Sequence, residues 1–318
     1  MLSIVGMFVL GVIVLGFGAS RLINGASGIA QKMNWSPFLV GFFLVAFATA
    51  LPELSISLQA IRYGNDQLAL GTVVGNNIVN FGLTLGLAAI AATLVVSWRA
   101  LNGVLLGVIV STVAVIVMAW DGDITRVEGI ILIVLFVAFT IWALMSTRSE
   151  GGHIREELQS LGRNRSSIIM NVFEIVLAIA LFYFGSRAIL MTAPALGLAL
   201  NQPQLVVGLL PVAVAISIPE ALAAMFAARR GNGDLVVGHV LGSSLINITL
   251  VIGLVAMQGR LEIPEALLKF ELPLAAIFAC LMFPMLRGDM KINKTEGMLL
   301  FLAFVLWLAV ELWIVRPL

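Results

Sequence analysis

Apolar runs long enough to cross a bilayer recur from one end of this chain to the other. About ten are found, near 3–24, 37–61, 67–92, 98–119, 127–146, 168–191, 204–228, 234–256, 266–286 and 296–315. Each crossing needs roughly 20 residues. The runs are too long for strands and lack the two-residue alternation of outer-membrane barrels, so they are read as helices. Only 11% of the 318 residues are charged, against about 25% in a soluble domain. An all-α integral membrane protein is the fold class these features predict. The first run lacks a basic flank and is longer than a secretory core, which marks it as a retained span.

Lys and Arg set the expected orientation. With ten spans, twelve basic residues fall on one side and six on the other, which places both termini outside the cytoplasm, in a plasma (inner) membrane. The one long polar segment, 147–167, is then a cytoplasmic linker between a first half (1–146) and a second (168–318).

Those halves repeat each other. Pro52-Glu53 recurs as Pro219-Glu220, an offset of 167. In the same ungapped register Gly41 falls on Gly208, Gly71 on Gly238, Gly75 on Gly242, Asn80 on Asn247 and Gly86 on Gly253. Apolar sequence matches Leu and Val by chance, but not Pro-Glu, Asn and glycines in one register. Five helices per half is an odd number, so the second half enters the membrane from the opposite side. Two inverted five-helix repeats are a transporter architecture, with the substrate held near the midplane where broken helices expose polar backbone.

A proline in a helix frees the carbonyl four residues back, and a freed carbonyl at membrane depth has to be satisfied. A mid-bilayer carboxylate costs about 2.5–3.5 kcal/mol on insertion scales. The basic residues nearest in sequence, Arg62 and Arg229, lie nine positions beyond the glutamates, or about 13 Å along a helix. An outside cation or proton is therefore the expected counter-charge. Hard cations take six to eight oxygens, and each repeat offers them. Thr49 lies one turn before Glu53 and Ser217 one turn before Glu220. Asn76 and Asn80 share one face of the next helix, and Ser243 and Asn247 share the matching face in the second half.

The other polar residues are read as structural. Cys280 is taken as a small core residue, and His153 and His239 as residues in or near loops. Glu174, Glu271 and Glu311 are placed toward helix ends within reach of water, and Asp121, Asp123 and Glu128 in a loop. No motif for a cofactor or for nucleic-acid binding is found, and no nucleophile–base pair or H-E-x-x-H sequence that would suggest an intramembrane enzyme. Inorganic cations and the lipid bilayer are the expected partners. The oligomeric state stays open, with a monomer compatible.

ALPELSIS followed by LALGTVVGNNIVN, and SIPEALAA followed by LVVGHVLGSSLIN, resemble the two α-repeats of the Ca²⁺/cation antiporters, the sodium/calcium exchanger superfamily. The resemblance covers essentially the whole chain. It implies that Glu53 and Glu220 coordinate Ca²⁺ and share Na⁺. It implies further oxygens from Thr49, Ser217, Asn76, Asn80, Ser243 and Asn247, and carbonyl ligands from Ala46 and Ala213 in unwound turns. It also implies alternating access by sliding of the first and sixth helices. The family has roughly Gly-Thr-Ser-x before Pro-Glu, whereas this chain has Ala48-Thr49-Ala50-Leu51 and Ala215-Ile216-Ser217-Ile218. Each repeat keeps one hydroxyl of two. The function expected is divalent-cation antiport, with Ca²⁺ exchanged for Na⁺. Coupling to H⁺ is the first alternative, and a membrane ion sensor that does not transport is the second.

Overall fold

The protein, a computed structural model, is described over residues 2–32, 46–96, 100–146, 167–287 and 290–314. Its first half contains α1 (Leu2–Lys32), α2 (Ala46–Arg62), α3 (Asp66–Ala91), α4 (Ala100–Met118) and α5 (Arg126–Ser146). The second contains α6 (Ile168–Leu200), α7 (Gln204–Arg229), α8 (Gly233–Ala256), α9 (a π-turn at Leu267–Glu271 leading into Leu272–Arg287) and α10 (Lys294–Ile314). Among the described residues, nine of these are long and apolar enough to cross a membrane. The exception is α2, of which 17 residues are described, because the front of its expected run lies outside the described residues. The expected linker lies there too, with His153.

Burial separates an inner layer from an outer one. The spanning windows of α3 and α8 are 83% and 89% buried, whereas those of α1, α5, α6 and α10 are 17–28% buried. The outer helices turn Val, Ile, Leu and Trp outward, as lipid-facing helices must when no aqueous surface is available. Cys280 is exposed and so faces outward with them, which corrects its reading as a core residue. In the inner layer α3 touches α2, α7 and α8, and α8 touches α2 and α7, while α1 and α6 pack along each other, α6 also meets α2, and both meet α7 less.

Two pairs of short strands record the symmetry. β1 (Leu94–Val95), after α3, pairs antiparallel with β4 (Lys291–Ile292), before α10. β2 (Asp123–Ile124), before α5, pairs with β3 (Leu261–Glu262), after α8. An offset of 167 carries Leu94–Val95 onto Leu261–Glu262 and, within one residue, Asp123–Ile124 onto Lys291–Ile292. One sheet thus becomes the other when the halves are exchanged, and helix parity puts them at opposite ends of the bundle. This is the signature of an inverted repeat. Arg260 locks the β2–β3 end by donating from Nε to Asp123 Oδ2 at 2.6 Å, so Asp123 is a buried tie rather than a loop charge.

The helices run straight through their central prolines. α2 is continuous across Pro52 and α7 across Pro219, which corrects the expectation of unwound turns there. The irregularity is a π-turn instead. α7 has one at Gly208–Val212, α3 at Asn80–Leu85 and α8 at Ile246–Val251. The turns in α3 and α8 fall within one residue of each other under the repeat. Such turns widen the helix locally and concentrate at functional sites.

Two further sequence readings are corrected. Glu271 and Glu311 are only 3% and 4% exposed, because α9 and α10 turn the two side chains against each other. They do not reach water. Glu174 does sit near a helix end, where it accepts from Arg21 of α1 at 3.1 Å.

Glycine brings α3 and α7 into backbone contact. A Cβ on Gly71 would stand 2.3 Å from the Leu205 carbonyl oxygen, and one on Gly208 would stand 2.6 Å from that of Leu68. Overpacking of this kind costs about 1–3 kcal/mol. Gly71→Ala is expected to lower thermal stability in detergent, whereas Gly6→Ala, whose Cβ would meet nothing within 4 Å, is expected to leave it level or higher. Equal behaviour of the two variants in a melting experiment would contradict the close crossing.

Candidate functional site

The two glutamates meet where the inner helices cross. Glu53, directly after Pro52 on α2, is fully buried. Its Oε1 accepts from Asn76 Nδ2 of α3 at 2.8 Å. The other end of the same amide, Oδ1, lies 2.5 Å from Ser217 Oγ of α7. Ser217 Oγ is also 2.8 Å from the carbonyl oxygen of Ala213, one turn back. Asn76 therefore bridges the Pro-Glu helix of one repeat to that of the other. A hydroxyl has one proton, so it can satisfy only one of these two acceptors.

On the next turn of α3, Asn80 donates from Nδ2 to Ser243 Oγ of α8 at 3.3 Å, a second bridge between halves. Asn247 follows Ser243 by one turn on α8 and is fully buried. Ala213 opens the α-helical stretch after the π-turn of α7. Ala46 begins the described part of α2 and lines a small gap with Gly242, Leu245 and Ile246 of α8. Thr49 lies on α2, and its side chain is outside the described residues. Of the ten residues singled out from the sequence, the structure thus clusters Glu53, Asn76, Ser217 and Ala213 in one chain of contacts. Asn80 and Ser243 form an adjoining pair.

The site is rich in acceptors. Glu53 Oε2, Glu220 Oε2, Asn80 Oδ1 and Asn247 Oδ1 are all buried with no hydrogen-bond partner among the described residues. A buried polar group left unpaired costs about 1–3 kcal/mol, and more when charged. Among the described residues no side chain donates a hydrogen bond to these oxygens, and an oxygen cluster of this kind is the chemistry that a hard cation needs.

Access differs between the two glutamates. A cavity of about 270 Å³ reaches Glu220 between α1 and the two proline turns, lined by Gly16, Ser20, Asn24, Pro52 and Pro219. Glu53 lies behind it. Several residues that sequence reading passed over belong to the same surroundings. Ser57, one turn beyond Glu53, is fully buried, and so are Asn77 and its repeat counterpart Ser244 to within 1%. The repeat register carried a signal for the last two, since both sit beside residues already chosen.

The largest omission is His239. It is not a loop residue: it lies within α8, 7% exposed, with Nε2 3.4 Å from Glu220 Oε2. An offset of 167 sets it on Thr72, four residues before Asn76, and that register could have found it.

Asn76→Leu is expected to strand Glu53 Oε1 in a dry setting, while Ser217 keeps the Ala213 carbonyl as its acceptor. One new unpaired group costs about 1–3 kcal/mol, and more when charged, so the variant should melt below the parent in detergent without added cations. Unchanged melting would mean the bridge contributes nothing.

Comparison with known proteins agrees with this fold. The profile of the sodium/calcium exchanger protein family matches residues 3–145 and 170–313. The inner membrane protein YrbG of Escherichia coli is 30% identical, over 99% of this chain and 98% of that protein. The sodium/calcium exchanger MaX1 of Methanosarcina acetivorans is 26% identical, over 97% and 98%. Solved structures of the sodium-calcium exchanger NCX_Mj superpose with a TM-score of 0.70 at 25% identity, covering 97% of this chain and 99% of that one. With both halves matched and the whole architecture shared, the chain belongs to the sodium/calcium exchanger family, as a multi-pass membrane protein of the cation-antiporter class.

Proposed function

We propose that this protein exchanges a divalent cation, Ca²⁺ above all, for Na⁺ across the plasma membrane, with Glu53 and Glu220 as the charged ligands. The observation that carries this reading is the cluster of buried oxygens around the two glutamates that have no hydrogen-bond donor among the described residues. Two carboxylates match the charge of one divalent ion. Ser217, Asn76 and the Ala213 carbonyl supply neutral oxygens beside Glu53, and Asn80, Ser243 and Asn247 supply them on the neighbouring turns. Thr49 and the Ala46 carbonyl complete the set on α2.

The exchange follows from ligand economy. A divalent ion and Na⁺ that draw on the same oxygens cannot both be held at full coordination, so one displaces the other. Movement of the paired helices α1 and α6 across the proline turns then exposes Glu220 and its neighbours alternately to the two sides. The extensive packing of α1 along α6, against their far smaller contact with α7, supports this reading. So does the cavity at that boundary. Both termini lie outside the cytoplasm in this account, and the segment 147–167 is the cytoplasmic hinge between the repeats.

Each half keeps one hydroxyl of the family pair. Ala50 is 1% exposed and Ile216 7%, so both are packed where a side-chain oxygen would otherwise face the interior. Restoring them with Ala50→Ser and Ile216→Thr together is expected to steepen the Na⁺ dependence of transport. Glu53→Gln and Glu220→Gln are each expected to abolish Ca²⁺ uptake by proteoliposomes under an imposed Na⁺ gradient, with folding retained. Near-parental uptake by either glutamate variant would overturn the assignment. Uptake driven equally by a pH gradient with Na⁺ absent would transfer the coupling to protons.

A further inference from the structure

The second half-site contains a nitrogen donor that the first lacks. His239 and Ser243 are four residues apart on α8, so the imidazole projects from the same face as the residue that meets Asn80. At the matching place in α3 stands Thr72, whose Oγ1 donates to the Leu68 carbonyl at 2.8 Å and is tied to its own helix. The two halves are therefore chemically unequal at one position, and the difference points at Glu220.

The separation is informative. His239 Nε2 and Glu220 Oε2 stand 3.4 Å apart, longer than the 2.7–3.2 Å of an N–H···O hydrogen bond. Among the described residues, Glu220 Oε2 has no hydrogen-bond partner. Two donors that hold one tetrahedral ion at about 2.1 Å each stand about 3.4 Å from one another. Imidazole with carboxylate is a ligand pair suited to Zn²⁺ and its first-row neighbours, whereas Ca²⁺ takes oxygen. The cavity that reaches Glu220 also has Ser20 and Asn24 in its wall, so an ion that comes to the carboxylate through it meets two further polar side chains, while His239 lies outside that wall.

Resting on the reading of Glu220 as a cation ligand, the geometry points to a mixed nitrogen–oxygen site: His239 and Glu220 jointly bind a first-row transition divalent cation of the Zn²⁺ class. His239 is thereby a specificity-determining residue that widens the range of cations this exchanger accepts beyond hard, oxygen-seeking ions. The first repeat, with Thr72 at that place, has no such preference.

The chain contains only two histidines, which makes the test clean. Full-length, tag-free protein with His153→Ala is loaded with one equivalent of Zn²⁺ alone, and its zinc K-edge absorption fine structure is recorded. The ring carbons of a bound imidazole give outer-shell scattering that carboxylate and water do not. That signature is expected in the His153→Ala protein and is expected to be lost on adding His239→Thr. In the same pair, the ratio of Zn²⁺ to Ca²⁺ affinity, measured by competition, is expected to fall about tenfold or more, the lower end of what metal sites lose with a partner. Absence of imidazole scattering in the His153→Ala protein would overturn the inference without any need for the second variant. An unchanged affinity ratio would overturn it as well, and would leave His239 as a charge partner of Glu220. Glu220→Gln separates the two levels: retention of both Zn²⁺ and Ca²⁺ binding there removes the central site reading itself, whereas loss of both with an unchanged ratio in His239→Thr removes this inference alone.

Discussion

Everything at the centre of this protein depends on holding two carboxylates inside a packed helical core that offers them too few donors. The cost is reduced by one amide. Asn76 gives its NH₂ to Glu53 and its oxygen to Ser217, so a single side chain on α3 ties the Pro-Glu helices of both halves together. The approach of α3 to α7 that makes this reach short is itself set by Gly71 and Gly208, where any Cβ would strike backbone. Glycine contact, amide bridge and buried carboxylate are therefore one linked arrangement. Loosening any of the three moves the others.

The paired sheets show how the two halves are held in register at a distance from that centre. Leu94 opposite Ile292 and Ile124 opposite Leu261 are equivalent pairs at opposite ends of the bundle, and Arg260–Asp123 adds an ion pair at one of them. A rigid inner layer anchored at both ends is a frame against which the more exposed α1 and α6 can be displaced. Gly11 and Gly185 bring those two into close contact, which in the proposed mechanism makes them one moving unit. Such a division, with a fixed core and a mobile pair, is what a binding site at the interface of inverted repeats requires for alternating exposure.

Much of this was legible before any coordinates, for a physical reason: an inverted repeat writes each critical position twice. Pro52-Glu53 and Pro219-Glu220, or Asn80 and Asn247, identify themselves by their spacing, and the helices follow from the length of the apolar runs. Burial was harder to read. Glu271 and Glu311 lie toward helix ends in sequence, but whether an end meets water or a neighbouring helix is decided by tertiary packing. Cys280 was misassigned for the converse reason, since apolar surroundings in sequence do not distinguish core from lipid. The π-turns were not visible either. A proline signals a missing donor, and the chain accommodates Pro52 and Pro219 within continuous helices while widening α3 and α8 a little further along the path, beside the asparagines. His239 was overlooked because the repeat was searched for identities, and it stands out only as a difference.

The central claim is that one divalent cation is held between Glu53 and Glu220. The most direct measurement is anomalous diffraction from crystals soaked in Sr²⁺, which substitutes for Ca²⁺ and is visible at its absorption edge. This account predicts a strong peak at the crossing of α2, α3, α7 and α8, within bonding distance of a carboxylate oxygen from each glutamate, where Ca²⁺-type ligands lie at about 2.3–2.6 Å. A peak bound by only one of the two carboxylates, or strontium found only outside the inner helices, would contradict it.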